Sequence, residues 1–183
     1  MAVVVSCLAD EPSALARLAR SAARDADVVE LRLDRLAEFG AADELALAEL
    51  VATLGKPVIA ACNGPESYGH FTGAREQRLE RLRAAARAGA SFVDVDWRAA
   101  AELGELPGAA RRIVSRHETS TGEFDPDRWL AELAAAARPG DVRKLVHAAS
   151  SAEEELELLA RLAGTAGELV AFSSGAVGSF SRV

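Results

Sequence analysis

Short apolar runs alternate with longer amphipathic stretches along the whole chain. Seven runs have the length and composition of buried β-strands, and they cover residues 2–9, 28–34, 57–63, 92–97, 112–117, 142–148 and 169–174. Apolar residues recur every three to four positions in residues 13–25, 75–90 and 152–164, which predicts helices. Asp125 and Pro126 have the form of an N-cap and a first helical residue, so we expect another helix to begin there. The pattern predicts an α/β protein with a parallel sheet.

Repeated strand–helix units fit either a doubly wound sheet or a (β/α)8 barrel. No GxGxxG motif follows the first strand, which weakens the dinucleotide-binding form of the doubly wound sheet. Glu30, Arg32, His117 and Lys144 lie at or near the C-terminal halves of three strands, and a barrel would bring such positions to one mouth. We therefore predict a TIM-type (β/α)8 barrel in one domain over residues 1–183, with only seven strands evident. Three explanations stay open for the eighth: the last unit is missing, another chain covers the gap, or the barrel is incomplete.

Composition and charge exclude several classes of protein. Half of the 183 residues are apolar and 27% are charged, as in ordinary globular proteins. No apolar run approaches the roughly 20 residues of a membrane span, and the N-terminus lacks signal-peptide features. The net charge of −7, without a basic patch, argues against nucleic-acid binding. We expect a cytoplasmic protein with no membrane or nucleic-acid partner.

The cysteines and histidines show no metal-binding pattern. Cys7 and Cys62 each lie within an apolar run, which indicates buried, reduced thiols rather than a disulfide. No CxxC or HExxH spacing occurs, so we expect no metal site. His70 and His147 are weakly informative alone.

The strand over residues 28–34 carries charges on one of its faces. Side chains alternate across a strand, so Glu30 and Arg32 share a face opposite Val29 and Leu31. The apolar face would pack against helices, which points Glu30 and Arg32 into the barrel. Ligand contact is one interpretation, and a structural ion pair between the two is the other.

Lys144 lies within an otherwise apolar strand, where a charged ammonium is costly unless it is compensated. It could pair with an interior carboxylate such as Glu30. Alternatively, it could be a Schiff-base nucleophile whose pKa is lowered by desolvation and by cations such as Arg32 and Arg182. His117 ends the preceding strand and could move protons. A lysine and a histidine in one pocket would suit carbonyl chemistry without a metal.

The segment after the last strand is predicted to bind an anion. Residues 173–182 are rich in serine and glycine, whose backbone N–H groups are available. Arg182 adds a guanidinium fork that matches a carboxylate. Barrels often bind anionic groups in the loops after their last strands, although a plain flexible loop is the alternative.

Six segments in this order resemble the type I 3-dehydroquinate dehydratases of the shikimate pathway, which serves aromatic amino acid biosynthesis. Each segment is weakly specific alone, but six in the right order are specific, and they cover nearly the whole chain. The segments are VELRLD, PVIAACNGPESYGHF, FVDVDW, IVSRHE, VRKLVHAA and FSSGAVGSFSR.

The resemblance implies a lyase that needs no metal and no cofactor. Lys144 would form an imine with the C3 ketone of 3-dehydroquinate, and His117 would carry protons between C2 and the departing C1 hydroxyl. Arg182 would hold the carboxylate, while Glu30 and Arg32 would bind the ring hydroxyls. The substrate would thus be a cyclic hydroxy-keto acid and the product 3-dehydroshikimate. Members of the family are commonly dimers, so a homodimer is expected.

The segment after the third strand departs from the family pattern. Asn63 stands where the family has a substrate-binding arginine. Ser67 replaces a glutamate that orients the histidine, and Glu66 could take that role if the loop shifted by one residue. All three are predicted to line the substrate site. Tyr68-Gly69 occupies the place of two glycines. We also expect the family's last strand and helix and its N-terminal hairpin to be absent.

Three hypotheses about function follow. The leading hypothesis is a dehydratase of full or reduced activity. The second is a catalytically weakened relative that binds a cyclic carboxylate or a protein partner without turnover, which the departures at Asn63 and Ser67 favour. The third is another Schiff-base lyase or an aldolase, because Lys144 and His117 are retained while their surroundings differ.

Overall fold

Seven parallel β-strands follow one another in chain order across a single sheet. The computed structural model describes residues 2–37, 39–119 and 124–182, without the side chains of Ser179, Phe180 and Arg182. The strands β1 to β7 are Val4–Leu8, Val28–Arg32, Val58–Ala61, Phe92–Asp96, Arg111–Glu118, Val142–Ala148 and Leu169–Ser174.

Six α-helices alternate with the strands. Helices α1 to α6 are Pro12–Ala22, Ala41–Leu54, Arg75–Arg87, Ala100–Leu103, Pro126–Ala136 and Ala152–Gly164, and 3-10 helices cover Pro65–Ser67, Trp97–Ala99 and Val177–Arg182. The predicted N-cap is confirmed, because the Asp125 carboxylate accepts the N–H of Arg128 at 3.0 Å. The sequence pattern did not reveal α2, whose apolar residues lie on all sides, or α4, which is a single turn.

The strand order confirms the predicted barrel-type fold. Every neighbouring pair from β1–β2 to β6–β7 is parallel and consecutive in the chain. A doubly wound sheet would instead reverse its order at a switch point. The described residues contain seven strands, and no pairing between β1 and β7 occurs among them. In the described part of the chain, no helix is both long and apolar enough to cross a bilayer.

The core lies between the sheet and its helices, which leaves the inner face of the sheet polar. Val29, Leu31, Val93 and Leu145 point outward and are almost fully buried. Each such side chain stabilises the fold by about 1.5–3 kcal/mol. Because side chains alternate along a strand, the residues between them point inward. The polar and charged residues of this inner face include Ser6, Glu30, Arg32, Asp94, Asp96, Ser115, His117, Lys144 and Ser174.

Both cysteines belong to the core. Cys7 and Cys62 are free and buried, as the sequence predicted. Burial raises the pKa of the Cys62 thiol to about 12, because the charged thiolate would be desolvated. Both residues therefore act as small apolar side chains.

The connection from β3 to α3 is a tightly folded loop in which one glycine is required. Gly69 N–H donates to the Gly64 carbonyl at 2.8 Å, and Phe71 N–H donates to the Asn63 carbonyl at 3.0 Å. A Cβ atom on Gly69 would lie 1.8 Å from the Asn63 carbonyl oxygen. The preceding residue, Tyr68, has a φ of 56°, in the left-handed region that non-glycine residues rarely adopt.

We expect Gly69→Ala to lower the free energy of unfolding by about 2 kcal/mol or more, because the methyl group would displace backbone. Gly164→Ala is the matched control, since that Cβ would meet no atom within 4 Å at the end of α6. The control should change the free energy of unfolding by less than about 1 kcal/mol. Urea denaturation measures both variants. Equal stabilities would show that the loop does not have this conformation.

Candidate active site

The ammonium group of Lys144 lies between two carboxylates on the inner face of the sheet. Its Nζ is 2.7 Å from Oδ2 of Asp94 on β4 and 3.6 Å from Oε1 of Glu30 on β2. The Asp94 side chain is fully buried, and those of Lys144 and Glu30 are mostly so. Such a pair offsets the desolvation of an ammonium that would otherwise be unstable inside a protein. The predicted pairing of Lys144 with Glu30 is confirmed, and Asp94 is the nearer partner.

Two serines hold the carboxylates in place. Ser115 lies opposite Lys144 in the β5–β6 register and donates its hydroxyl to Oδ1 of Asp94 at 2.5 Å. The hydroxyl of Ser6 on β1 donates to Glu30 in the same way. Five strands thus contribute to one hydrogen-bonded cluster, which consists of Ser6, Glu30, Asp94, Ser115 and Lys144 and is called the lysine cluster below.

The charge state of Lys144 differs from the sequence-based prediction. Burial disfavours the ammonium, but the negative charges of Asp94 and Glu30 outweigh this effect, so the pKa of Lys144 is raised. For Asp94, burial favours the neutral acid, but Lys144 and His117 outweigh it and the pKa is lowered. The expectation of a lowered lysine pKa is therefore wrong for the protein without substrate. That expectation underestimated the effect of the negative charges of Asp94 and Glu30 on the lysine pKa.

His117 lies next to the lysine cluster, one inward position beyond Ser115 along β5. Its ring is buried, and its Nδ1 has no hydrogen-bond partner among the described residues. Burial lowers the pKa of His117 to about 4; Asp94 opposes this shift and the charge of Lys144 adds to it. The imidazole is therefore neutral at physiological pH and has a free lone pair for a proton.

Arg32 is fixed at the mouth by a separate ion pair. Its guanidinium donates to both oxygens of Asp34, at 2.7 and 2.9 Å, and to the Tyr68 carbonyl at 3.0 Å. The Asp34 carboxylate also accepts a hydrogen bond from the backbone N–H of His70 at 3.0 Å. Because Arg32 pairs with Asp34 and Glu30 with Lys144, the alternative of a Glu30–Arg32 ion pair is wrong for the described structure.

The β3–α3 loop does not provide a carboxylate for His117. Glu66 forms an ion pair with Arg78 at 2.6 Å, so the suggested shift of Glu66 towards the histidine is wrong. Ser67 is buried and donates its hydroxyl to Asp96 at 3.0 Å. Asn63 is buried at the start of this loop. The predicted substrate contacts of Asn63, Glu66 and Ser67 stay predictions. Glu66 and Ser67 already have side-chain partners in the described structure.

The segment after β7 is anchored, although the side chain of Arg182 lies outside the described residues. Ser181 Oγ accepts the N–H of Ser173 at 2.8 Å, and Ser181 N–H donates to the Glu155 carboxylate at 2.8 Å. These bonds fix the backbone of the 3-10 helix Val177–Arg182 on the sheet and on α6. The role of Arg182 in binding a carboxylate stays a prediction.

Several residues of the site were not identified from the sequence. Asp94 had a usable signal, because residues 92–97 place aspartates at alternate positions of an apolar strand, just as residues 28–34 place charges. Tyr68 had a weaker signal, because it stands where the family has a glycine. Ser6 had none, since a serine near the N-terminus is common. No group of three or more His, Cys, Asp or Glu side chains suited to a metal ion occurs within the described residues.

Comparisons with known proteins show the family to which the chain belongs. The sequence profile of the family described as type I 3-dehydroquinase matches residues 3–183. The 3-dehydroquinate dehydratase of Methanothermobacter thermautotrophicus is 31% identical over 159 residues, which are 86% of this chain and 70% of that protein. The corresponding protein of Dehalococcoides mccartyi is 30% identical over 84% of this chain and 68% of its own length.

Solved structures show the same fold. The type I 3-dehydroquinate dehydratase of Clostridium difficile, solved with covalently modified comenic acid, superposes with a TM-score of 0.84 at 15% identity over 99% of this chain and 78% of that one. The enzyme of Aquifex aeolicus gives a TM-score of 0.77 at 24% identity over all of this chain and 83% of that one. With the family profile covering nearly all of its residues, the chain belongs to the type I 3-dehydroquinase family.

Proposed function

We propose that the protein dehydrates 3-dehydroquinate to 3-dehydroshikimate through a Schiff base on Lys144. The observation that carries the proposal is an amine on the inner face of the sheet, held by Asp94 and Glu30 next to a neutral His117. The family assignment and the names of the relatives at 31% and 30% identity support the substrate.

The reaction begins at the substrate ketone. After Nζ loses a proton, the neutral amine attacks C3 and the resulting carbinolamine loses water to form an iminium ion. The nearest proton acceptor is Asp94, whose Oδ2 lies 2.7 Å from Nζ. The iminium charge acidifies the C2–H bond. His117 accepts the C2 proton, the C1 hydroxyl takes a proton from the imidazolium, and it leaves as water. Hydrolysis of the product imine then releases 3-dehydroshikimate and regenerates the amine.

The charged groups at the mouth bind the substrate. Glu30 and Arg32 contact the ring hydroxyls, and Arg182 pairs with the carboxylate. Asn63 takes part from the β3–α3 loop. A cyclic hydroxy-keto acid matches this set, because one cation meets the carboxylate while hydrogen-bonding groups meet the hydroxyls. One domain, a homodimer and a cytoplasmic location also stay proposals, supported by the family assignment.

Binding without turnover is the second candidate function, and one observation favours it. Glu66 pairs with Arg78 and Ser67 with Asp96, so neither supports His117. A protein with this arrangement could form the imine and stall before elimination. Trapping with borohydride, combined with detection of the enone product, separates the two functions: adduct with product supports the dehydratase, and adduct alone supports the binding protein.

The first prediction uses the two lysines of the chain, Lys56 and Lys144. Incubation with 3-dehydroquinate and borohydride should leave one reduced imine adduct on Lys144. Peptide mass spectrometry locates this adduct. Lys144→Arg should abolish both adduct and turnover, because a guanidinium keeps the charge but forms no imine. Lys144→Ala is less suitable, since it leaves two buried carboxylates unpaired at a cost of roughly 3–5 kcal/mol. Lys56→Arg is the control and should retain both. Turnover by Lys144→Arg would refute the mechanism.

The second prediction separates imine formation from proton transfer. His117→Ala should reduce kcat by about 10²–10⁴-fold, the usual contribution of a general acid–base residue. Borohydride should still trap substrate on Lys144 in this variant, since the amine and its carboxylates remain. His70→Ala, at the exposed end of the β3–α3 loop, is the control. Unchanged kcat in His117→Ala would remove the histidine from the mechanism.

The third prediction concerns pH. Because the pKa of Lys144 is raised above 10.5, the free amine increases with pH throughout the working range. We expect kcat/KM to rise between about pH 6 and about pH 9 by about tenfold per unit at most, without an inflection from His117, whose pKa is about 4. Asp94→Asn removes the negative charge next to Lys144, so the pH profile of kcat/KM should move to lower pH. Asp127→Asn, a surface control, should not. A profile that is flat from about pH 6 would contradict the raised lysine pKa.

A further inference from the structure

Tyr68 contacts three different strands from the loop between β3 and α3. Its carbonyl accepts a hydrogen bond from Arg32 on β2 at 3.0 Å. Its hydroxyl lies 3.0 Å from the Ser174 hydroxyl on β7 and donates over 3.4 Å to the carbonyl of Glu118 on β5. Tyr68 therefore extends across the mouth of the site and is held at both its backbone and its side-chain end.

The ring of Tyr68 also meets the imidazole of His117. The two centroids are 6.1 Å apart and the planes are inclined by 79°, an edge-to-face arrangement that aromatic rings favour. A catalytic histidine is commonly oriented by a carboxylate or carbonyl that accepts its second N–H. Here Nδ1 of His117 has no such partner within the described part of the chain. The aromatic contact is the orienting interaction that the structure shows.

The backbone of Tyr68 indicates that its ring is retained for a reason. At a φ of 56° a bulky side chain is disfavoured, and glycine or asparagine would fit better. A strained residue persists only where its surroundings over-determine it, and such residues cluster at functional sites. Tyr68 is the only non-glycine residue with positive φ among the described residues.

We propose that Tyr68 is a positioning residue, which orients the imidazole of His117 and closes the mouth of the site above it. The inference rests on the proposed function, because it assigns His117 a part in proton transfer. The hydroxyl of Tyr68 fixes the ring through Ser174, and the ring in turn restricts rotation of the imidazole. Aromatic packing thereby supplies the orientation that a hydrogen-bonded carboxylate would otherwise provide.

Three variants test the proposal. Tyr68→Gly removes the ring and relieves the backbone, so it should unfold at the same or a higher temperature and yet lose about tenfold to a hundredfold in kcat, with a smaller change in KM. Tyr68→Phe retains the ring and should keep kcat within about threefold of the unmodified protein. Tyr68→Leu retains bulk without an aromatic edge, so its kcat should fall by about as much as that of Tyr68→Gly. Full kcat in both Tyr68→Gly and Tyr68→Leu would overturn the proposal.

A second measurement does not depend on turnover. The chain has three histidines, so the titration of His117 can be followed by NMR of the labelled imidazoles. Four charged groups from three strands act on His117: Asp94 and Asp96 of β4, Lys144 of β6 and Arg32 of β2. Because Tyr68 shields the ring from water, Tyr68→Gly should raise the pKa of His117 from about 4 towards 6.5, while Tyr68→Phe leaves it unchanged. If the unmodified protein has no dehydratase activity, the proposed function fails, but this titration still tests whether the Tyr68 ring covers the imidazole of His117. An unchanged pKa of His117 in Tyr68→Gly would contradict the proposed role of Tyr68.

Discussion

The ion pair between Lys144 and Asp94 constrains the whole site. A buried ammonium is stable only with a partner of opposite charge, and Asp94 at 2.7 Å meets this requirement together with Glu30. These three residues come from β6, β4 and β2. They meet because helices cover the outer face of the sheet and hold consecutive parallel strands in register. The packing of the outer face against the helices therefore also fixes the positions of the charged residues on the inner face.

The lysine cluster imposes opposite demands on the resting protein and on the reaction. At rest, the carboxylates keep Lys144 charged and oriented, which avoids an unpaired charge inside the sheet. The proposed imine formation requires the same amine to be neutral. The close hydrogen bond to Asp94 reconciles the two demands, because it provides a short path for the proton. His117 stays neutral in the same environment, since burial and the charge of Lys144 both disfavour its protonated form.

Much of this architecture could be predicted from the sequence. Apolar runs at the spacing of strands gave β6 and β7 with their observed bounds, and alternation gave the inward position of Glu30. Two features were beyond the pattern. The raised pKa of Lys144 depends on the distance of Asp94, which is 50 residues away in the chain. The position of Tyr68 depends on a left-handed backbone turn that sequence periodicity does not encode. Local patterns predict the face on which a residue lies, but not which distant residue it meets.

The site depends on the charge of Lys144 in the protein without substrate, and this charge can be measured by NMR. With lysine labelled by ¹⁵N at Nζ, two side-chain signals arise from Lys56 and Lys144, and Lys56→Arg assigns them. We predict that Lys144 gives an ammonium signal whose titration midpoint lies above the ordinary value of 10.5. Asp94→Asn should lower this midpoint. A neutral amine at about pH 7, or a midpoint that does not respond to Asp94→Asn, would contradict the ion pair on which the site depends.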